Sequence, residues 1–169
     1  MMDIQHTTYN IQQRKGFTLI ELLVVISIIG ILAALLLVRF GAVEKSARDT
    51  QRKSDLNQYR TALENYASTK GGLYPTQNTG NCADVDLCGG TAPLLPYIAT
   101  CPKDPLHVCP PAPADHVYDY APSVSGDKYY LYVWGGLEAV TGKTWVVCWD
   151  GKVGLVDNTP SAINTYCPL

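Results

Sequence analysis

Residues 17–38 read FTLIELLVVISIIGILAALLLV, and no other stretch constrains the chain as strongly. A single charge, Glu21, interrupts the run, and the seventeen residues 22–38 that follow carry none. As a helix rising about 1.5 Å per residue it would be about 33 Å long, enough to cross the hydrocarbon core of a bilayer. A chain of 169 residues could hardly wrap such a helix in protein on every side. The run therefore predicts a membrane helix. Against it, the bulk figures of 47% hydrophobic, 17% charged and a net charge of −2 are an average over unlike parts. They exclude a strongly basic nucleic-acid binder and a disordered acidic tail.

The sixteen residues before the run, MMDIQHTTYNIQQRKG, are polar and end in Arg14-Lys15-Gly16. A cleaved secretory signal has a shorter apolar stretch, with small residues at a cleavage site after it; neither holds here. A signal anchor is the generic alternative. Basic residues flank both ends, Arg14 and Lys15 before and Arg39, Lys45, Arg48, Arg52 and Lys53 after. Counting them alone favours a cytoplasmic C-terminal side. The cysteines described below argue the opposite, and they weigh more.

An ionisable group inside an apolar helix is costly without a partner, so Glu21 is a functional candidate. Its bland alternative is a side chain that snorkels to the interface. A cut between Gly16 and Phe17 would create an α-amine four residues away, a cation that this carboxylate can neutralise in its own chain or in a neighbour. The string K-G-F-T-L-I-E ahead of an apolar helix resembles the prepilin leader of bacterial type IV pilins and type II secretion pseudopilins. In that family a membrane-embedded aspartyl peptidase cuts after the glycine and methylates the new N-terminus. The glutamate at the fifth mature position then pairs with the N-terminus of an adjacent subunit. The resemblance implies cleavage at Gly16–Phe17, N-methylation of Phe17 and an assembly role for Glu21. Many members carry a proline near the end of the apolar run. Here Val38 stands at that place and no proline occurs before Pro75, so a kink is not carried over. Gly30, Ala33 and Ala34 offer small surfaces for close helix packing.

Residues 41–70 are polar, lack proline and are rich in helix formers. Leu56, Tyr59, Leu63 and Tyr66 are spaced three, four and three apart, an apolar stripe on one helical face. The charged residues Lys45, Arg48, Asp49, Arg52, Lys53, Asp55, Arg60 and Glu64 are expected mostly on other faces, solvated or paired between subunits. Gly71-Gly72 supplies a C-cap and Tyr74-Pro75 starts extended chain. The stripe is too short for a coiled coil and is expected to pack on a globular head. One helix continuous from about 18 to 70 would run roughly 80 Å.

Residues 71–169 hold all six cysteines, Cys82, Cys88, Cys101, Cys109, Cys148 and Cys167, with four basic against nine acidic side chains. An even number of cysteines beyond a membrane anchor reads as disulfides in an oxidising compartment. Fifteen pairings are possible; proximity suggests Cys82–Cys88, Cys101–Cys109 and Cys148–Cys167. A zinc site at Cys101, His107 and Cys109 is the rival, without the usual paired-cysteine spacing. Calcium is a further option at Asp84, Asp86 and Asp127, although no EF-hand pattern is present and no cofactor is expected. Strand signals fall at 117–121, 128–134, 144–149 and 152–156, the last two flanking an Asp150-Gly151 hairpin turn. Tyr130, Tyr132 and Trp134 share one face by alternation, with Tyr129, Leu131 and Val133 opposite.

The expected fold is α+β and pilin-like: a long N-terminal helix, half membrane and half amphipathic, packed on a small antiparallel sheet. Its divisions are a leader at 1–16, a membrane and assembly helix at 17–40, a stalk helix at 41–70 and a disulfide-stapled head at 71–169. No catalytic motif is found, and the acidic head gives nucleic acid no electrostatic support. The resemblance implies a structural subunit of a type IV pilus-like filament, held in the cytoplasmic membrane by a single pass with its head outside. Its partners would be copies of itself, other pilins, the prepilin peptidase and the inner-membrane assembly machinery. A type II secretion pseudopilin in a periplasmic filament, or an anchored adhesin-like minor pilin, is the alternative.

Overall fold

The computed structural model describes residues 16–37, 40–76, 82–91, 93–106, 109, 117–157 and 167. The chain divides into two compact units, Met1–Phe40 and Gly41–Leu169.

In the first unit, helix α1 spans Leu19–Leu37. Every described side chain from Gly16 to Leu36 is exposed, among them Leu19, Ile20, Leu22, Ile26, Ile31 and Leu35. A helix apolar on all faces and covered on none can only be stable in lipid or against other apolar helices. The hydroxyl of Ser27 donates to the carbonyl of Leu23 (2.7 Å), so this polar group is satisfied within the helix.

The second unit begins on helix α2, Phe40–Thr69. Glycine ends it: Gly71 and Gly72 take φ of 69° and 85°, and the Gly72 N–H donates to the Ala67 carbonyl at 2.8 Å. That left-handed turn is sterically open to glycine and satisfies a carbonyl that the last helical turn leaves free. A short helix α3, Ala83–Cys88, follows. Then come strands β1 Val117–Pro122, β2 Tyr129–Trp134, β3 Lys143–Cys148 and β4 Val153–Asp157. They form one antiparallel meander in the order β1-β2-β3-β4, with Tyr120 opposite Leu131, Leu131 opposite Val147 and Val147 opposite Val153. Gly136 in the β2–β3 connection has φ 79°, and a Cβ there would lie 2.7 Å from the Lys143 carbonyl oxygen. Only glycine fits this approach.

The α2 stripe meets the sheet as expected. Leu56, Tyr59 and Leu63 are fully buried with Tyr120, Tyr129, Leu131, Val133 and Val147, and Tyr66 packs at their margin. Each such side chain contributes on the order of 1.5–3 kcal/mol when taken from water. The opposite sheet face buries Tyr130, Tyr132, Val146 and Cys148, with Cys167 packed on them. Period-two alternation in β2 thus separates Tyr129, Leu131 and Val133 from Tyr130 and Tyr132. The buried phenols find acceptors, Tyr59 on the Pro102 carbonyl (2.7 Å) and Tyr120 on the Pro75 carbonyl (2.7 Å). Burial raises the pKa of both hydroxyls, which stay neutral donors.

Two of the expected disulfides are corrected. Cys82 bonds Cys109 and Cys88 bonds Cys101, with Cα separations of 5.9 and 6.4 Å, while Cys148 bonds Cys167. Cys82 is the N-cap of α3 and Cys88 its last residue. Six residues of helical rise put them about 9 Å apart, beyond disulfide reach. Each helix end therefore bonds the 101–109 segment instead. Proximity in sequence misleads here because a helix holds its own two ends apart.

Candidate functional site

The N-terminal end of α1 carries a closed set of hydrogen bonds. Glu21 Oε2 accepts from the Thr18 backbone N–H (2.9 Å) and from the Thr18 hydroxyl (2.7 Å). In return Thr18 Oγ1 accepts from the Glu21 N–H at 3.3 Å. This is a capping box, Thr18 at the N-cap and Glu21 at the third helical position, and it satisfies donors that every helix start leaves free. Phe17, Ile20, Glu21, Val24 and Val25 line one shallow recess beside it. The carboxylate thus sits at the rim of an otherwise apolar surface, next to the Gly16–Phe17 bond. Thr18 is the functional residue that charge and hydropathy alone do not single out, although T-L-I-E fits the capping signature.

A second constellation lies in the head, on charged residues expected to be mostly solvated. Asp49, Arg52 and Asp55 are instead buried, Arg52 with 0% of its surface exposed. Their spacing continues the stripe backwards from Leu56 and Tyr59, which was the available signal. Arg52 forks onto Asp104, Nε to Oδ2 at 2.6 Å and Nη2 to Oδ1 at 3.1 Å. Its Nη1 lies 2.8 Å from both Asp49 Oδ1 and Glu138 Oε1. Arg48 forks onto Glu138 in turn, at 2.8 and 2.6 Å. Asp49 also accepts the backbone N–H groups of Glu138 (3.0 Å) and Ala139 (2.7 Å). Deeper along α2, the Tyr118 hydroxyl donates to Asp55 at 2.7 Å. Two guanidinium groups and three carboxylates therefore tie α2 to the β2–β3 connection and to the segment after Cys101. Charges this deep are tolerable only when hydrogen-bonded on every side.

Hydrogen bonds from Arg48, and then from Arg52, hold the Glu138 carboxyl well below its usual range, at about 2. A carboxylate with a depressed native pKa contributes stability that is complete above its unfolded value of about 4.3 and is lost as pH falls through the native one. Burial raises Asp55 and Asp119, whose contributions run the other way. The difference in urea midpoint between wild type and Glu138→Gln isolates the first effect. It should be large at pH 6 and shrink toward zero near pH 2; a difference independent of pH would refute it.

Among the described residues, the zinc and calcium candidates are not gathered around one point. Cys101 and Cys109 are in disulfides and offer no thiolate, and His107 lies outside the described residues. Cys82, Asp84 and Cys109 are close together, but the two cysteines are bonded to each other. Asp84 and Asp86 are on α3, and Asp84 pairs with Lys103 at 3.4 Å. Asp127 is in the β1–β2 turn, where it accepts from Ser123 (2.7 Å) and from Ser125.

The family described as the prokaryotic N-terminal methylation motif matches residues 11–37, the segment that holds Gly16, Phe17 and Glu21. The type II secretion system core protein G of Pseudomonas aeruginosa is 33% identical over 149 residues, covering 87% of this chain and 92% of that protein. The protein of the same name in Escherichia coli is 34% identical over 103 residues, 55% of this chain and 67% of that one. The type IV major pilin protein PilA of Myxococcus xanthus is 38% identical over 58 residues, 34% of this chain, and that match spans 26% of the pilin's own length. No solved structure matches the chain. The chain belongs to the type IV pilin and type II secretion pseudopilin family.

Proposed function

We propose that the protein is a non-enzymatic structural subunit of a filament assembled through its N-terminal helix. The observation that carries this reading is α1 itself, exposed on all sides, apolar throughout, and bearing one carboxylate at its start. Prepilin peptidase cuts between Gly16 and Phe17 and methylates the new N-terminus. The subunit waits in the cytoplasmic membrane with α1 in lipid and the disulfide-bonded head outside. On assembly α1 exchanges lipid for neighbouring helices. Glu21 exchanges the Thr18 hydroxyl for the cationic amine of Phe17 in an adjacent copy. Apolar packing supplies most of the cohesion, and the carboxylate sets the register, because a charge without a partner among packed helices is costly.

Between a surface pilus and the short periplasmic filament of type II secretion, the extent of the matches favours the second. Likeness to the Pseudomonas core protein G extends over 149 residues and so takes in much of the head, against 58 for the Myxococcus pilin. N-terminal sequencing of the mature protein from membranes tests the processing step. N-methylated Phe17 is expected as the first residue. Recovery of Met1, or any other start, refutes the reading.

A further inference from the structure

Asp104 is three residues after Cys101 and five before Cys109. The described chain around it, 101–106, has neither helix nor strand, yet Asp104 is only 3% exposed and supplies both carboxylate oxygens to the Arg52 fork. What sets a carboxylate in irregular chain so accurately is the pair of disulfides. Cys88–Cys101 ties one end of the segment to the last residue of α3, and Cys82–Cys109 ties the other end to its N-cap. α3 is itself rooted in the core through Ala83 and Leu87, both with 0% exposure. Residues 101–106 and Cys109 are therefore clamped to a fixed post, and Asp104 among them faces Arg52 of α2. Among the described residues, the segment is also linked through Tyr59 to the Pro102 carbonyl, Lys103 to Asp84, the Arg52 fork and the packing of Cys101 on the core.

We propose that these two disulfides form a redox-controlled latch on the head: their formation seats Asp104 on Arg52 and so completes the ion network that ties α2 to the β2–β3 connection. Each bond forms when two thiols give up two protons and two electrons to a disulfide-bearing oxidant, which leaves as a dithiol. The cross-links span sequence separations of 27 and 13 residues and remove chain entropy that would otherwise oppose seating. Before oxidation, two N–H groups of a buried guanidinium lack their acceptors, which favours an open arrangement. The head reaches its closed form only after it has met an oxidising compartment.

Arginine footprinting of the full chain in detergent micelles tests this, with phenylglyoxal as the probe and mass spectrometry as the readout. In the oxidised protein Arg52 should react roughly tenfold or more slowly than Arg60. Cys82→Ser/Cys109→Ser and Cys88→Ser/Cys101→Ser, made separately, should each raise Arg52 reactivity by roughly tenfold. Asp104→Asn, with all disulfides intact, should do the same. In all three, amides of β2 and β3 should keep their slow hydrogen exchange, because the sheet does not depend on the latch. The proposal is overturned if Arg52 stays protected in both cysteine variants. It is equally overturned if protection is lost only together with slow exchange in β2 and β3, since the disulfides would then hold the whole head rather than Asp104.

Discussion

Glu21→Ala should lose incorporation into filaments by about tenfold or more in competition with wild-type subunits, equivalent to at least about 1.4 kcal/mol per subunit. The unfolding midpoint of the head should not move. The two effects separate because, among the described residues, Glu21 bonds Thr18, three residues away on the same exposed helix end. Removing the carboxylate costs the isolated subunit one capping box, a local loss confined to the first turn of α1. In a filament assembled as proposed, it would also remove the charge that sets the register of the apolar helix. Glu21→Gln sharpens the test, since an amide oxygen can still cap Thr18 but carries no charge for a neighbour's amine. Thr18→Ala does the reverse, weakening the cap while keeping the charge. Assembly should therefore fail in the order alanine, then glutamine, with Thr18→Ala near wild type. Co-expression followed by quantitation of tagged subunits in sheared filaments reads this directly. Normal incorporation of Glu21→Ala would remove the carboxylate from the assembly argument.

Asp49→Ala should be the most damaging single change in the head's charge network, at about 3–5 kcal/mol. Its two oxygens serve Arg52 Nη1 and the N–H groups of Glu138 and Ala139, so truncation leaves three buried donors facing a methyl group. Asp49→Asn keeps an acceptor of the same shape and should cost less. Asp157→Ala is the control: Asp157 pairs with Lys143 as Asp49 pairs with Arg52, but its side chain is 73% exposed. Such a surface pair contributes about 0–1 kcal/mol. Urea unfolding of the full chain in detergent, followed by tryptophan fluorescence, measures all three. Equal costs at positions 49 and 157 would show that burial is not what gives the network its strength.

Much of the architecture was legible because its causes are local. The run at 17–38 contains its own explanation, since a helix satisfies every backbone group within the segment and an apolar surround demands that. The stripe of Leu56, Tyr59 and Leu63 and the alternation in β2 report which side of each element is dry, and period alone carries that information. Glu21 stood out because a carboxylate in hydrocarbon has few benign readings. What the sequence could not disclose were partnerships over long separations. Arg52 meets Asp104 and Arg48 meets Glu138 across 52 and 90 positions, and the disulfides pair across 27 and 13 rather than between nearest cysteines. A charge on a helix reads as solvated until the chain that covers it is known. Only the packing of α2 against the sheet and the 101–106 segment removed water from Arg52 and turned ordinary surface residue types into the head's central tie.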